Sequence, residues 1–364
     1  MTILIFIVIL LVLVIGHEFG HFVVAKLTGM EVPEFGIGFP PKLWSKKIRD
    51  TEYSINALPF GGFVRITGED PREVASNDQK AFYNRPKFAQ ALTLLAGPAA
   101  NILIALILSS AAFMFGVPAA TDSGFDAAHI SKARLTVLEV LPGSPADVAG
   151  LKAGDQLLGI SVRGVVHLVR DPKEIPPLVE NARGSVIVSI LRDSKVLTLT
   201  LSPQKGLVAG EPDREAIGIA TASVGTLTLP FAEAVKAGFK ETVFNFENTL
   251  FGMLALLKQA FTFTATLGSV AGPVGIARLV GNAATFGFGA ILSFAALISI
   301  NLGILNLFPF PALDGGRFAF FLVELVSRKR ISPRFMNAAN SLGFALLITL
   351  MLVVTVHDIY RLIG

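Results

Sequence analysis

Four long apolar stretches dominate the pattern of hydrophobic and polar positions along the chain. They cover residues 1–25, 88–121, 279–313 and 335–356, and Glu18 is the one Asp, Glu, Lys or Arg within them. A helix needs about 20 apolar residues to cross a bilayer, so the pattern predicts four membrane spans. The first stretch has neither the basic start nor the small-residue cleavage site of a secretory signal, which favours a span.

The loops between these stretches predict the orientation of the spans. Lys and Arg collect in the loop after the first stretch, as at Lys46 and Lys47, and in the loop after the third, as at Lys329 and Arg330. Short loops rich in Lys and Arg stay in the cytoplasm. Both termini and the long segment from residue 122 to about 286 are then expected on the extracytoplasmic side.

The long segment has the pattern of a small α/β domain followed by a helix. Residues 135–140, 186–191 and 196–201 alternate as strands do, and residues 173–181 have a helical pattern. Ser144, Pro145 and Gly150 are typical of the cap, first turn and end of a short helix. Charges recur among apolar residues from 231 to 260, which predicts an amphipathic helix at the membrane interface rather than a fifth span.

Residues 34–66 carry a different pattern. Short alternating runs at 42–48, 51–57 and 63–66 are separated by Gly and Pro residues. These are hairpin and turn signals, so we expect a β element pressed against the membrane face of the spans.

Composition restricts the class of protein further. Of the 364 residues, 52% are hydrophobic types and 16% are charged, whereas soluble domains run at about 45–50% and about 25%. This balance disfavours an ordinary cytosolic enzyme and excludes a disordered chain. The chain has no cysteine, so disulfides, thiolate metal sites and cysteine nucleophiles are excluded. The net charge of +4 comes without a long basic cluster, so we expect no nucleic-acid partner.

A candidate metal site lies at the end of the first span. His17 and His21 are four residues apart, so on a helix both imidazoles share one face and can reach one metal ion. Glu18, beside the first imidazole, can act as general base toward an attacking water. The alternative is a polar turn at a helix end without metal. The setting favours function, because ionisable groups inside a membrane span are costly and mark functional sites.

A catalytic zinc site normally has three protein ligands, and Asp314 is the candidate for the third. It follows a span interrupted by Pro309 and Pro311, and broken helix at membrane depth lies against protein or a wet cavity. The alternative is an Asp that caps a helix at a cytoplasmic loop. His17 lies about 22 Å along the first helix, at a depth that the cytoplasmic end of the third span can reach.

Two further polar residues, Asn101 and Asn306, lie in otherwise apolar surroundings. Contact with a substrate and hydrogen bonding between helices both explain them. Both interpretations stay open from the sequence.

Four motifs together resemble the site-2 protease family of intramembrane zinc metalloproteases, and in particular its bacterial branch with extracytoplasmic PDZ domains. They are the HEFGH span, the Gly-rich segment LPFGGFV at 58–64, AGPAAN at 96–101, and the segment from Asn306 to Gly316. Residues 140–160 resemble a PDZ domain of that branch. The resemblance implies Zn²⁺ bound by His17, His21 and Asp314, with Glu18 as the catalytic base. It also implies a multi-pass protein of the bacterial inner membrane that cleaves single-pass membrane proteins, such as anti-sigma factors, after a first cut by another protease.

The expected fold is therefore a polytopic α-helical membrane protein with about four spans, a membrane-associated β-hairpin element and one extracytoplasmic PDZ-type α/β domain. We expect a first half of the protease core at 1–121, the PDZ domain at 122–228, an amphipathic region at 229–285 and the second half of the core at 286–364. Two other functions remain possible from the sequence. They are a non-catalytic membrane scaffold that gathers partners through its PDZ domain, and a membrane-anchored metalloprotease that cleaves loops outside the membrane.

Overall fold

A computed structural model describes most of the chain, in two compact units. It covers residues 2–69, 78–182, 184–192, 195–208, 210–262, 264 and 272–363. The first unit combines Met1–Phe115 with Pro230–Gly364, and the second is Gly116–Leu229. In sequence, the second unit is therefore an insertion between the two halves of the first.

The described residues form helices and strands with the following bounds. The helices are α1 (Thr2–Leu27), α2 (Lys87–Phe115), α3 (Pro145–Val148), α4 (Ile175–Glu180), α5 (Phe231–Phe261), α6 (Pro273–Thr285), α7 (Phe288–Leu307), α8 (Asp314–Ser327) and α9 (Pro333–Ile363). The strands are β1 (Glu34–Ile48), β2 (Thr51–Arg65), β3 (Val117–Ala120), β4 (Ile130–Val140), β5 (Gln156–Val162), β6 (Val165–Leu168), β7 (Val186–Arg192), β8 (Lys195–Leu201) and β9 (Ile219–Leu227).

Four helices of the described chain, α1, α2, α7 and α9, are long and apolar enough to cross a membrane. This agrees with the number of spans predicted from the sequence. Two of the predicted stretches are longer than the helices that they contain. Gly116 and Gly287 both adopt a left-handed φ of 102°, so α2 ends before residue 121 and α7 begins after residue 279. Glycine tolerates this φ where other residues do not.

Small residues allow α1 and α2 to approach closely. A Cβ atom added to Gly20 would lie 2.7 Å from Cβ of Ala100 and 2.5 Å from the carbonyl oxygen of Ala96. Close packing of small residues is a common way for membrane helices to associate. It brings the polar residues of α1 directly against α2.

Helix α5 forms over the segment where the sequence predicts an amphipathic helix. Its side chains Phe246, Leu250 and Met253 pack against a cluster contributed by α2 and α7, which includes Ala105 and Ile300. The helix thus lies along two candidate spans. Its position at a membrane interface stays a prediction.

Strands β1 and β2 form the β element expected within residues 34–66. The hairpin closes where Ile48 lies opposite Thr51. Residues 34–37 are opposite two parts of β2, because Glu34 pairs with both Glu52 and Arg65. Residues 34–37 are therefore an inner segment, while residues 62–65 have no second strand beside them among the described residues. These four residues, Gly62 to Arg65, are called the edge segment below.

The second unit is a seven-stranded sheet with two short helices. The strands lie in the order β3-β9-β4-β5-β7-β8, and β6 pairs with β5. Val137, Ile160 and Val188 lie in its core, and Val179 of α4 packs on them. Predicted strands at 135–140, 186–191 and 196–201 and both predicted helices are present. Ser144 caps α3 by accepting a hydrogen bond from the backbone N–H of Asp147, as its sequence indicates.

Candidate metal centre

Helix α1 presents His17 and His21 on one face, as their spacing predicts. Both side chains are buried, and their Nε2 atoms lie 3.3 Å apart. Glycine at position 97 of α2 leaves room for both rings. A Cβ atom at Gly97 would lie 2.7 Å from Nε2 of His17 and closer still to Nε2 of His21. Gly97 therefore packs directly against both rings. This contact becomes evident only from the packing of α2 on α1.

Asp314 reaches the same place from the other half of the unit. Its Oδ2 lies 2.9 Å from Nε2 of His17 and 3.2 Å from Nε2 of His21. Helix α7 ends at Leu307 and α8 begins at Asp314, so the turn between them positions the carboxylate of Asp314 beside the two imidazoles. The turn is held by Asn340 of α9, whose Oδ1 accepts a hydrogen bond of 3.1 Å from the backbone N–H of Ala312.

The two glycines after Asp314 make this turn possible. A Cβ atom at Gly316 would lie 2.7 Å from the carbonyl carbon of Phe310, and one at Gly315 would overlap the backbone of Leu307 and Phe308. The start of α8 therefore packs directly on the residues that precede it. This explains why the sequence has Gly-Gly immediately after the carboxylate.

The three side chains fit a zinc ion. One ligand atom from each of His17, His21 and Asp314 lies within 4.8 Å of the others. Two imidazole nitrogens and one carboxylate oxygen are typical of a catalytic zinc site, and tetrahedral bonds of about 2.0–2.1 Å place ligand atoms about 3.3 Å apart. The observed separations of 2.9, 3.2 and 3.3 Å are close to that value. The role of these residues as ligands stays a prediction.

The second nitrogen of each imidazole contacts α2. Nδ1 of His21 lies 2.7 Å from the carbonyl oxygen of Thr93. A carbonyl can only accept, so Nδ1 carries the hydrogen and Nε2 keeps its lone pair. Nδ1 of His17 lies 3.1 Å from Nδ2 of Asn101. Thr93 was not singled out by its sequence, because its backbone rather than its side chain makes the contact.

A cavity of about 210 Å³ lies beside the cluster, and Glu18 and Asn306 are among the residues that line it. The structure separates the two asparagines that the sequence treats alike. Both line this cavity, but Asn306 is half-buried, whereas Asn101 has 0% of its surface exposed. Asn306 is therefore accessible to a molecule in the cavity, and Asn101 is a neighbour of His17.

The edge segment passes beside Glu18. A Cβ atom at Gly62 would lie 3.6 Å from Cγ of Glu18. Gly62 therefore lies within contact distance of the Glu18 side chain. Beyond the edge segment a partly exposed ion pair joins Glu69 to Arg317, which lies about one helical turn after Asp314. The carboxylate of Glu69 raises the pKa of Arg317, which keeps this guanidinium charged.

Comparison with known proteins identifies the family. The model of peptidase family M50 matches residues 5–350. The chain belongs to peptidase family M50. This match covers α1 with both imidazoles, the whole second unit and α8 with Asp314, so the family relationship includes every residue of the candidate centre.

Full-length relatives agree with the M50 assignment. A protein of Clostridium perfringens, named for zinc metalloprotease activity, is 36% identical over 349 residues, which cover 95% of each chain. A protein of Nostoc sp. with a similar name is 32% identical, over 100% of this chain and 97% of its own. The zinc metalloprotease RasP of Geobacillus kaustophilus is 30% identical, over 99% of this chain and 98% of its own.

Proposed function

We propose that this M50 protein is a zinc-dependent endopeptidase of the site-2 type, which cleaves peptide bonds in or near the membrane-spanning segment of other proteins. The observation that carries the proposal is the convergence of His17, His21 and Asp314 next to Glu18. His17 lies fifteen residues after the start of a membrane-length helix, so the chemistry takes place about 22 Å along that helix. The zinc metalloprotease names of the relatives support the choice of metal.

Each residue has a separate task in this proposal. His17, His21 and Asp314 hold the zinc, which when bound polarises the scissile carbonyl and activates water. The carboxylate of Glu18 accepts the proton of the attacking water and returns it to the leaving amine. Asn306 lines the same cavity and, in this proposal, donates a hydrogen bond to the peptide backbone.

A helical substrate must unwind before its peptide bond can be attacked, because its backbone groups are already paired. The edge segment supplies replacement partners by β-augmentation, in which a peptide adds a strand to a sheet edge. Gly62 beside Glu18 aligns such a strand with the catalytic base. Anchoring of the protein at the membrane surface is the alternative role of this β element.

The second unit is proposed to be a PDZ-type domain on the extracytoplasmic side that controls access of substrates. A groove of about 320 Å³ runs between Ile175 and Val179 of α4 and the start of β9 at Ile219. Strand β3 pairs with residues 224–227 of β9, and Thr121 donates to the carbonyl of Ser223, so among the described residues the first residues of β9 have no strand beside them on that side. An extended peptide fits this edge in the same way as at the edge segment.

The remaining proposals concern the setting of the reaction. The four apolar helices are typical of a multi-pass membrane protein. The basic loops favour a protein of the inner membrane whose second unit lies on the extracytoplasmic side. Single-pass proteins such as anti-sigma factors, trimmed first by a site-1 protease, are the substrates proposed. The lipid bilayer is the other partner.

The test is cleavage of a model transmembrane substrate by the purified protein, with and without a chelator, followed by mass mapping of the products. Glu18→Gln should keep zinc and lose about 10²- to 10⁴-fold in rate, because an amide cannot accept the proton. Glu247→Gln, on an exposed position of α5, is the matched control and should cleave normally.

Each alternative function has its own outcome in this experiment. Wild-type rates for Glu18→Gln would contradict its role as base. Cleavage confined to loops outside the membrane would favour a membrane-anchored metalloprotease. Zinc-loaded protein that cleaves no substrate would favour a scaffold.

A further inference from the structure

Asn101 of α2 is enclosed completely at the candidate metal centre. Its side chain has 0% exposure, and its Nδ2 lies 3.1 Å from Nδ1 of His17. Its backbone carbonyl accepts a hydrogen bond of 2.8 Å from Oγ of Ser299, so α7 holds this turn of α2 in place. Asn101 therefore faces a ring nitrogen, and although it lies beside the cavity it has 0% of its surface exposed there.

This contact decides which nitrogen of His17 carries the ring hydrogen. An amide NH₂ can only donate, so Nδ2 beside Nδ1 requires that Nδ1 is unprotonated and that the hydrogen is on Nε2. Nε2 is the atom that faces Asp314, at 2.9 Å. A protonated Nε2 has no lone pair for a metal, so this orientation of the amide is incompatible with ligation through Nε2.

Rotation of the amide by 180° about the Cβ–Cγ bond exchanges Oδ1 and Nδ2 without changing the shape of the side chain. Oδ1, which otherwise is buried without a hydrogen-bond partner, then accepts the hydrogen of Nδ1 of His17. The lone pair of Nε2 is then directed at Asp314 and His21. His21 has the same arrangement, because its Nδ1–H donates to the carbonyl oxygen of Thr93 at 2.7 Å.

We infer that Asn101 is a positioning residue for the metal: its Oδ1 accepts the Nδ1–H of His17 and fixes the tautomer whose Nε2 can ligate. The inference rests on the proposed function, since only metal ligation selects the rotated amide. Thr93 and Asn101 both belong to α2, so one helix orients both imidazoles of α1. Outer hydrogen-bond partners of ligating histidines typically contribute about 10- to 100-fold to metal affinity.

The test compares zinc affinity among full-length variants by competition with a chelator. Asn101→Leu keeps the volume and removes the acceptor, so affinity should fall about 10- to 100-fold. Asn101→Asp restores an acceptor and should bind zinc as the wild type does. The matched control is Asn301→Leu in α7, because among the described residues the Asn301 amide donates within its own helix, to the carbonyl of Leu297 at 2.8 Å.

The outcomes separate this inference from the proposed function. Wild-type zinc affinity in Asn101→Leu would overturn the inference, and so would equal losses in the Leu and Asp variants with helical content intact. Zinc binding that is unaffected by His17→Gln would instead overturn the proposed metal site, whatever the Asn101 variants do.

A second measurement needs no substitution at position 101. Nitrogen NMR of the zinc-loaded wild type, with His17 identified by the resonance missing from His17→Gln, reports which ring nitrogen carries hydrogen. Hydrogen on Nδ1 and metal on Nε2 are expected. An unprotonated Nδ1 would overturn the inference even where Asn101→Leu fails to fold.

Discussion

Gly97→Ala is expected to remove zinc from the protein while leaving the fold of the second unit unchanged. The added methyl would lie 2.7 Å from Nε2 of His17 and closer still to Nε2 of His21. These are the two atoms that face each other across the candidate metal position. A methyl group in that position displaces the imidazoles or the metal between them.

The magnitude follows from the overlap. A carbon and a nitrogen that are not bonded stay about 3.4 Å apart, so the methyl overlaps His17 by roughly 0.7 Å and His21 by more. Separating the helices would relieve the clash, but Gly20 already packs against Ala96 and Ala100. Overpacking typically lowers the free energy of unfolding by about 1–3 kcal/mol, and we expect the protein to stay folded despite this loss. Zinc affinity should fall by more than the roughly 100-fold that loss of an outer hydrogen bond causes.

The assay is zinc content by elemental analysis, combined with chelator competition and helical content by circular dichroism. Gly252→Ala is the matched control, because a Cβ atom at this position of α5 meets no atom within 4 Å. It should keep full zinc and gain slightly in helix stability. Wild-type zinc affinity in Gly97→Ala, with the helices intact, would show that the metal does not lie between His17 and His21.

Three further predictions concern other parts of the molecule. Asp314→Ala should lose zinc and activity, since two imidazoles leave the site without its third protein ligand; full zinc occupancy by elemental analysis would contradict this. Proline at every second position of the edge segment, where the N–H faces outward, should raise KM with zinc unchanged, and a flat scan would favour a membrane anchor. Asp155→Ala should destabilise the second unit by about 3 kcal/mol, because it leaves Arg192 without its buried carboxylate. Limited proteolysis during heating measures this, with the exposed Asp213→Ala as control, and equal melting of both variants would refute it.

The sequence by itself determined the features that depend on neighbouring residues. The number of spans follows from the length of apolar stretches, and the shared face of His17 and His21 follows from the helical repeat. Cap and turn signals likewise placed α3 through Ser144 and Pro145. All these features are encoded within one helix or one turn, so local periodicity suffices to predict them.

The sequence determined the first and last residues of the helices less well. Residues 88–121 and 279–313 are apolar throughout, yet α2 and α7 end and begin at left-handed glycines within them. Strand β9 was not predicted, because its residues Ile219–Leu227 include Ala, Ser and Gly instead of alternating large apolar side chains. Its pairing with both β3 and β4 supplies the stability that its composition does not indicate.

Only the tertiary structure decided what surrounds the two imidazoles. Asp314 is separated from His17 by 297 positions, and its arrival depends on the packing of α7, α8 and α9 around a tight turn. The same packing buries Asn101 completely and leaves Asn306 half-buried, although both lie in apolar segments and both line the cavity. Gly97 and the carbonyl of Thr93 contribute through backbone position alone, which no side-chain pattern encodes. Contacts of this kind depend on the relative placement of several helices, and that placement results from the packing of the whole unit.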